Sequence, residues 1–252
     1  MKNIIMDYDG TATNNHERAG MVLKYILKKF SDEYNVNFDF LEKKHCLAKE
    51  ELKKNDVKYP YVKLNEIVCY CEDELIIDEL SLTKIMNDHC YQYFRTFQLK
   101  NPMIFSEAYE KTTPFFVEGL ADFLKKNMDN LCVVSNVSNE KISEEIMSLG
   151  LEPVVIGNAR KHHVNPRLKG IKERILIGER TINIDRPFYR TILENFNPEE
   201  SIVVGDNFSM DLALPLSMGF DVALVKNEYN SWAQKYMKII GKKVIENVSE
   251  LD

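Results

Sequence analysis

Short apolar runs punctuate the chain at wide intervals. Asn3-Ile4-Ile5-Met6, Leu131-Cys132-Val133-Val134 and Ser201-Ile202-Val203-Val204 are each bounded by polar or turn residues and followed by a helical pattern. Unbroken apolar runs of this length suit parallel strands covered on both faces. Further strands are predicted over 153–156, 222–225 and 243–245, while 117–124 and 190–196 carry helical spacing. Strand and helix thus alternate through the C-terminal half, which predicts a Rossmann-like, doubly wound parallel α/β sheet.

From about residue 14 to 112 this alternation stops. Ala19, Val22, Leu23, Ile26, Leu27 and Phe30 fall on one stripe of an amphipathic helix. A second long helix is predicted to open at Ser81-Leu82-Thr83-Lys84 and run through Tyr91 and Phe94. The expected organisation is therefore a core formed by 1–13 and 113–252, interrupted by a helical domain over 14–112. The stretch 157–184 is of another kind: Arg160, Lys161, Arg167, Lys169, Lys172 and Arg174 crowd its first half, and two short strands around Gly178-Glu179 are expected in its second.

Composition narrows the function classes. Thirty-three Lys and Arg against thirty-nine Asp and Glu give a formal charge of −6, which argues against general nucleic-acid or membrane-surface binding. Five scattered cysteines, Cys46, Cys69, Cys71, Cys90 and Cys132, do not form a secreted disulfide framework and indicate a reducing compartment. Only six residues precede Asp7 and no apolar run reaches membrane length, so a soluble cytoplasmic protein without a cleaved leader is expected.

The chemistry is carried by acids at predicted strand ends. The first strand runs into Asp7-Tyr8-Asp9-Gly10-Thr11, the 201–204 strand into Gly205-Asp206 with Asp211 five residues later, and the 131–134 strand into Ser135-Asn136. Ligands of open α/β sheets bind beyond the carboxyl ends of the strands, so Asp7, Asp9, Ser135, Asp206 and Asp211 are expected in one crevice. Four carboxylates there call for a divalent cation, and all-oxygen donors suit Mg²⁺ together with a substrate phosphate. Asp7 can then attack phosphorus to form an aspartyl-phosphate, and Asp9 can exchange protons with the leaving group and the water. The Ser135 hydroxyl and the N–H groups after it can serve the phosphoryl oxygens.

These motifs resemble the haloacid dehalogenase (HAD) superfamily: a strand followed by Asp-x-Asp-Gly-Thr at Asp7–Thr11, a strand ending in Ser135, and Gly-Asp-x-x-x-x-Asp at Gly205–Asp211. The resemblance implies that Asp7 is the nucleophile and Asp9 the general acid/base. It also implies that Asp7, Asp9 through its backbone carbonyl, and Asp206 hold Mg²⁺, with Asp211 in support. The insertion at 14–112 corresponds to a helical cap of the C1 type. Thr11, Ser135, Asn136 and Arg186 are the expected substrate contacts. The family's basic third motif, often Lys-Pro, is placed at Arg186-Pro187, with Lys161, Lys169, Lys172 and Arg180 as alternatives; Pro215 predicts a helix that starts late or kinks after Asp211.

An EF-hand fails because Arg18 and Ala12 stand where a calcium loop needs Glu and Gly. His45-Cys46, Cys69-Tyr70-Cys71 and His89-Cys90 lack the spacing of a structural zinc site, and Tyr91, Tyr93, Phe94 and Phe97 read as core. The basic 160–174 stretch reads as a solvated surface. The expectation is a Mg²⁺-dependent phosphohydrolase acting on a small phosphorylated metabolite. A phosphomutase, or a catalytically weak binding or regulatory protein on the same scaffold, are the alternatives.

Overall fold

The computed structural model describes residues 2–54, 68–70, 75–77, 97, 100–163, 173–227 and 230–251. The chain divides into two compact units, Met1–Asn14 with Pro114–Asp252, and Asn15–Thr113.

The first unit is built on a six-stranded sheet whose order, by residue range, is 243–245, 221–225, 201–205, 3–6, 131–134 and 154–156. Its strands are β1 (Asn3–Met6), β4 (Leu131–Val134), β5 (Val154–Ile156), β8 (Ser201–Gly205), β9 (Asp221–Val225) and β10 (Lys243–Ile245). All neighbours run parallel, with Ile4 opposite Leu131 on one side and Ile202 on the other. Each apolar run seen in the sequence is thus a strand. Because strand side chains alternate, Ile5, Cys132, Val134, Val203 and Leu224 fill one face, and Ile4, Met6, Val133, Val204 and Ala223 fill the other. Helices Pro187–Leu193 and Ser231–Ile239 cover the first face, and helices Leu120–Asn127 and Asn139–Met147 cover the second.

A separate antiparallel pair, β6 (Arg174–Ile177) and β7 (Arg180–Asn183), is joined through Gly178 at φ 60°. Glycine suits that turn because a side chain is strained at positive φ. Ile182 belongs to the first core face, with Ile175 and Ile177 packed against it. After β8 the chain makes a π-type turn at Phe208–Leu212 before the short helix Ala213–Ser217. The late, irregular helix expected from Pro215 is what forms.

In the second unit, helix Asn15–Tyr34 buries the whole predicted stripe, with Phe30 fully enclosed at 5.5 Å from the Phe97 ring. Arg18 is also fully buried: its guanidinium lies 3.6 Å from the Tyr109 ring centroid, and Nε donates to Thr112 Oγ1 at 2.9 Å. Helix Phe38–Lys54 adds to the expected helical content, and an antiparallel pair, β2 (Val68–Tyr70) and β3 (Leu75–Ile77), accompanies it. The second pair was not foreseen in a domain expected to be helical. The helix expected from Ser81 lies outside the described residues, as do Tyr91, Tyr93, Phe94, Cys71, His89 and Cys90. Among the described residues, no helix is long and apolar enough to cross a membrane.

Candidate active site

The carboxyl ends of β1, β8 and β4 carry Asp7, Asp206 and Ser135, as the strand assignments require. Oxygens of Asp7, Asp206 and Asp211 lie within 4.8 Å of one another. Two glycines permit this approach. A Cβ on Gly10, at φ 87°, would collide with the Asp206 carboxylate, and one on Gly205 would collide with Asp211. Gly10 is therefore a spacer as well as a turn residue, and Gly205, the last residue of β8, is a spacer.

Each acid is held by named partners. Thr11 Oγ1 donates to Asp7 Oδ2 at 3.3 Å. Asn227 Nδ2 donates to Asp206 Oδ2 at 3.2 Å, and Asn230 Nδ2 donates to the Asp206 carbonyl at 2.8 Å. Asp211 Oδ2 accepts from the Asn207 N–H at 3.0 Å. Asp9 is half-buried and is not one of the three converging carboxylates.

Among the described residues, the cation that reaches Asp7 is Lys161. Its Nζ forms ion pairs with Asp7 Oδ1 and, at 2.6 Å, with Asp211 Oδ1. Arg186, expected in that place, is buried one layer further back and donates Nη1 to the Lys161 carbonyl at 2.6 Å. The physical reason is the path of the chain after β5. Asn158 N–H donates to the Val137 carbonyl, Ala159 N–H to the Ser135 carbonyl, and Lys161 N–H to Asn136 Oδ1. These bonds draw the loop across the end of β4 toward β1. Asn158 and Arg160 take φ of 52° and 48°, a conformation that costs non-glycine residues energy and collects at functional sites.

Ser135 is buried, and its Oγ accepts from the Val137 N–H at 3.2 Å. Asn136, expected at the substrate, spends its side-chain oxygen on Lys161. Of the other basic candidates, Arg180 lies 4.6 Å over the Trp232 ring, and Lys169 and Lys172 lie outside the described residues. The basic stretch reads as a solvated surface in the sequence, yet Lys161 is only 2% exposed. A signal was available: a cation five residues beyond β5 stands at the carboxyl edge of the sheet, where ligands bind.

Burial raises Asp7 from 3.8 to about 7, with Lys161 opposing the rise and the Asp211 and Asp9 charges adding to it. Burial alone would lower Lys161, but the Asp211 and Asp7 carboxylates overcome it and hold the ammonium above the ordinary lysine range. Among the described residues, one ammonium therefore faces three carboxylates, an excess of negative charge that an additional cation would relieve.

No family model and no curated protein matches the chain. Solved structures do. A structure described as the HAD-hydrolase YfnB from Bacillus subtilis, bound to magnesium, aligns over 99% of this chain and 96% of its own at 12% identity, with a TM-score of 0.52. CbbY from Rhodobacter sphaeroides, solved with phosphate, aligns over 100% and 96% at 14% identity and a TM-score of 0.47. A structure described as a beta-phosphoglucomutase from Thermotoga maritima aligns over 98% and 94% at 15% identity and a TM-score of 0.48.

Proposed function

From the premise that this chain has the haloacid dehalogenase-like fold, we propose that it is a Mg²⁺-dependent phosphohydrolase acting on a small phosphate monoester. The observation that carries this reading is the Lys161 ammonium seated on Asp7 and Asp211 beside Asp206. The donor set fits the metal, since three converging carboxylates offer only hard oxygen ligands to an excess-charge site. Asp7 and Asp206 would hold Mg²⁺ with Asp211 in support, and Asp9 through its carbonyl, as the resemblance implies. Bound there, Mg²⁺ would neutralise charge on the phosphoryl oxygens and keep Asp7 ionised.

The chain's own residues supply the remaining steps. Asp7 attacks phosphorus, the bond to the leaving oxygen breaks, and Asp9 protonates that oxygen. Water then attacks the aspartyl-phosphate, gives its proton to Asp9 and releases phosphate with Asp7 regenerated. Lys161 balances the transferred group's charge, Thr11 orients the nucleophile, and Ser135 serves the phosphoryl oxygens. Arg186 acts behind the site by holding the Lys161 backbone. The helical unit is assigned the role of cap, and substrate choice would reside there.

Hydrolysis of p-nitrophenyl phosphate, with and without Mg²⁺, tests the reading. Metal-dependent turnover that disappears in Asp7→Asn and falls steeply in Lys161→Ala is expected. Turnover by Asp7→Asn at the wild-type rate would overturn the assignment of the nucleophile.

A further inference from the structure

The turn that carries Asp211 has a defect built into its sequence. Pro215 stands four residues after Asp211 and has no N–H for the Asp211 carbonyl, the bond a regular helix would make. The backbone widens here into the π-type turn Phe208–Leu212, a form that recurs at functional sites. A side chain from a different segment donates to that carbonyl: the Tyr189 hydroxyl, on helix Pro187–Leu193, at 3.0 Å. The other polar atoms of Asp211 are also engaged. Its N–H donates to the Asn207 carbonyl at 2.8 Å, Oδ2 accepts from the Asn207 N–H at 3.0 Å, and Oδ1 accepts from Lys161 at 2.6 Å. Tyr189 is 1% exposed, and its ring centroid lies 5.8 Å from the Lys161 Nζ.

We propose that Tyr189 is a positioning residue for phosphoryl transfer: its hydroxyl takes the place of the N–H that Pro215 lacks, fixes Asp211, and through Asp211 sets the Lys161 ammonium on Asp7. The inference rests on the phosphohydrolase reading above. It assigns separate tasks to two parts of one side chain. The ring packs in the core with Leu193 and Phe208, whereas the hydroxyl alone controls the acid. Burial raises the Tyr189 pKa, so the hydroxyl keeps its proton and remains a donor.

A double-mutant cycle tests this on the full chain, using Tyr189→Phe, Pro215→Ala and the pair. Tyr189→Phe keeps the ring and removes one hydrogen bond, so kcat for p-nitrophenyl phosphate should fall by about tenfold, with KM nearly unchanged and the melting temperature lowered by a few degrees at most. Pro215→Ala restores an N–H at position 215, and in the double variant it should recover most of the lost kcat. A Tyr189→Phe enzyme with wild-type kcat overturns the proposal. So does a loss that Pro215→Ala fails to recover although that single variant is folded and active.

The same proteins should be melted with Mg²⁺ and beryllofluoride, which caps an ionised aspartate as a phosphoryl mimic. If the wild type gives a shift without turnover, a smaller shift in Tyr189→Phe supports the proposal and equal shifts overturn it. A wild type with neither turnover nor a shift refutes the phosphoryl-transfer reading itself, and the inference falls with it.

Discussion

Both units bury a long basic side chain, and the two are used differently. Arg18, fully enclosed in the helical unit, lies on the Tyr109 ring and bonds Thr112, tying the first helix to the 104–112 segment that closes the unit. Lys161, 2% exposed in the α/β unit, sits between two carboxylates that also face Asp206. Arginine suits the first place because a planar guanidinium can stack and donate in fixed directions, and lysine suits the second because a compact ammonium is a point charge among converging carboxylates. The lesson is that burial of a charge does not by itself mark a site; what its partners can do decides.

Substitutions at the two cations should separate these roles. Lys161→Ala leaves Asp7 and Asp211 facing each other without their cation, and turnover should drop by roughly a thousandfold, measured as kcat on p-nitrophenyl phosphate at saturating Mg²⁺. Arg18→Met should cost about 3 kcal/mol in denaturant unfolding, through loss of a buried hydrogen bond and a desolvated cation–π contact, while kcat per folded molecule stays at the wild-type value. Equal losses of activity in both variants would erase the distinction.

The charge on Asp7 gives a subtler test. Because burial lifts its pKa from 3.8 to about 7, the folded metal-free protein binds this proton more tightly than the unfolded chain. That contribution is complete below the ordinary value and is lost as pH rises through about 7. Asp7→Asn removes the penalty, so without metal it should melt several degrees above wild type at about pH 8, with the gap closing toward about pH 4. Adding Mg²⁺ should raise the wild type and leave the variant nearly unmoved. A gap independent of pH would contradict the assignment. The smallest effect is expected at Lys28, whose exposed pair with Asp32 spans one helical turn at 2.8 Å; Lys28→Ala should change stability by about 0.3 kcal/mol and leave turnover untouched.

The sheet was legible in the sequence because each buried strand is a continuous apolar run; Asp7 and Asp206 were legible because strand ends declare them, and Asp211 by its spacing after Gly205-Asp206. Lys161 was less so. Its place depends on the 157–161 loop bonding across 135–137 and on left-handed backbone at Asn158 and Arg160, features that a run of basic residues does not display. Arg186-Pro187 looked like the family's motif by local spelling, yet reach across the sheet, not spelling, selects the partner of Asp7. The Tyr189 bond was similarly hidden. Pro215 announced an irregular helix, but which distant hydroxyl serves Asp211 is fixed only by packing.

The register of β1 has a consequence for the chain's birth. Ile4 is synthesised well before its partners: Leu131 follows only after the entire helical unit, and Ile202 later still. Closing loops of that length makes the parallel sheet slow to form. The helical unit, whose apolar stripe is buried against its own neighbours, is complete in sequence before the sheet can begin to assemble. During that interval Ile4-Ile5-Met6 is a bare apolar segment with unpaired backbone, exposed to aggregation until β4 has been made.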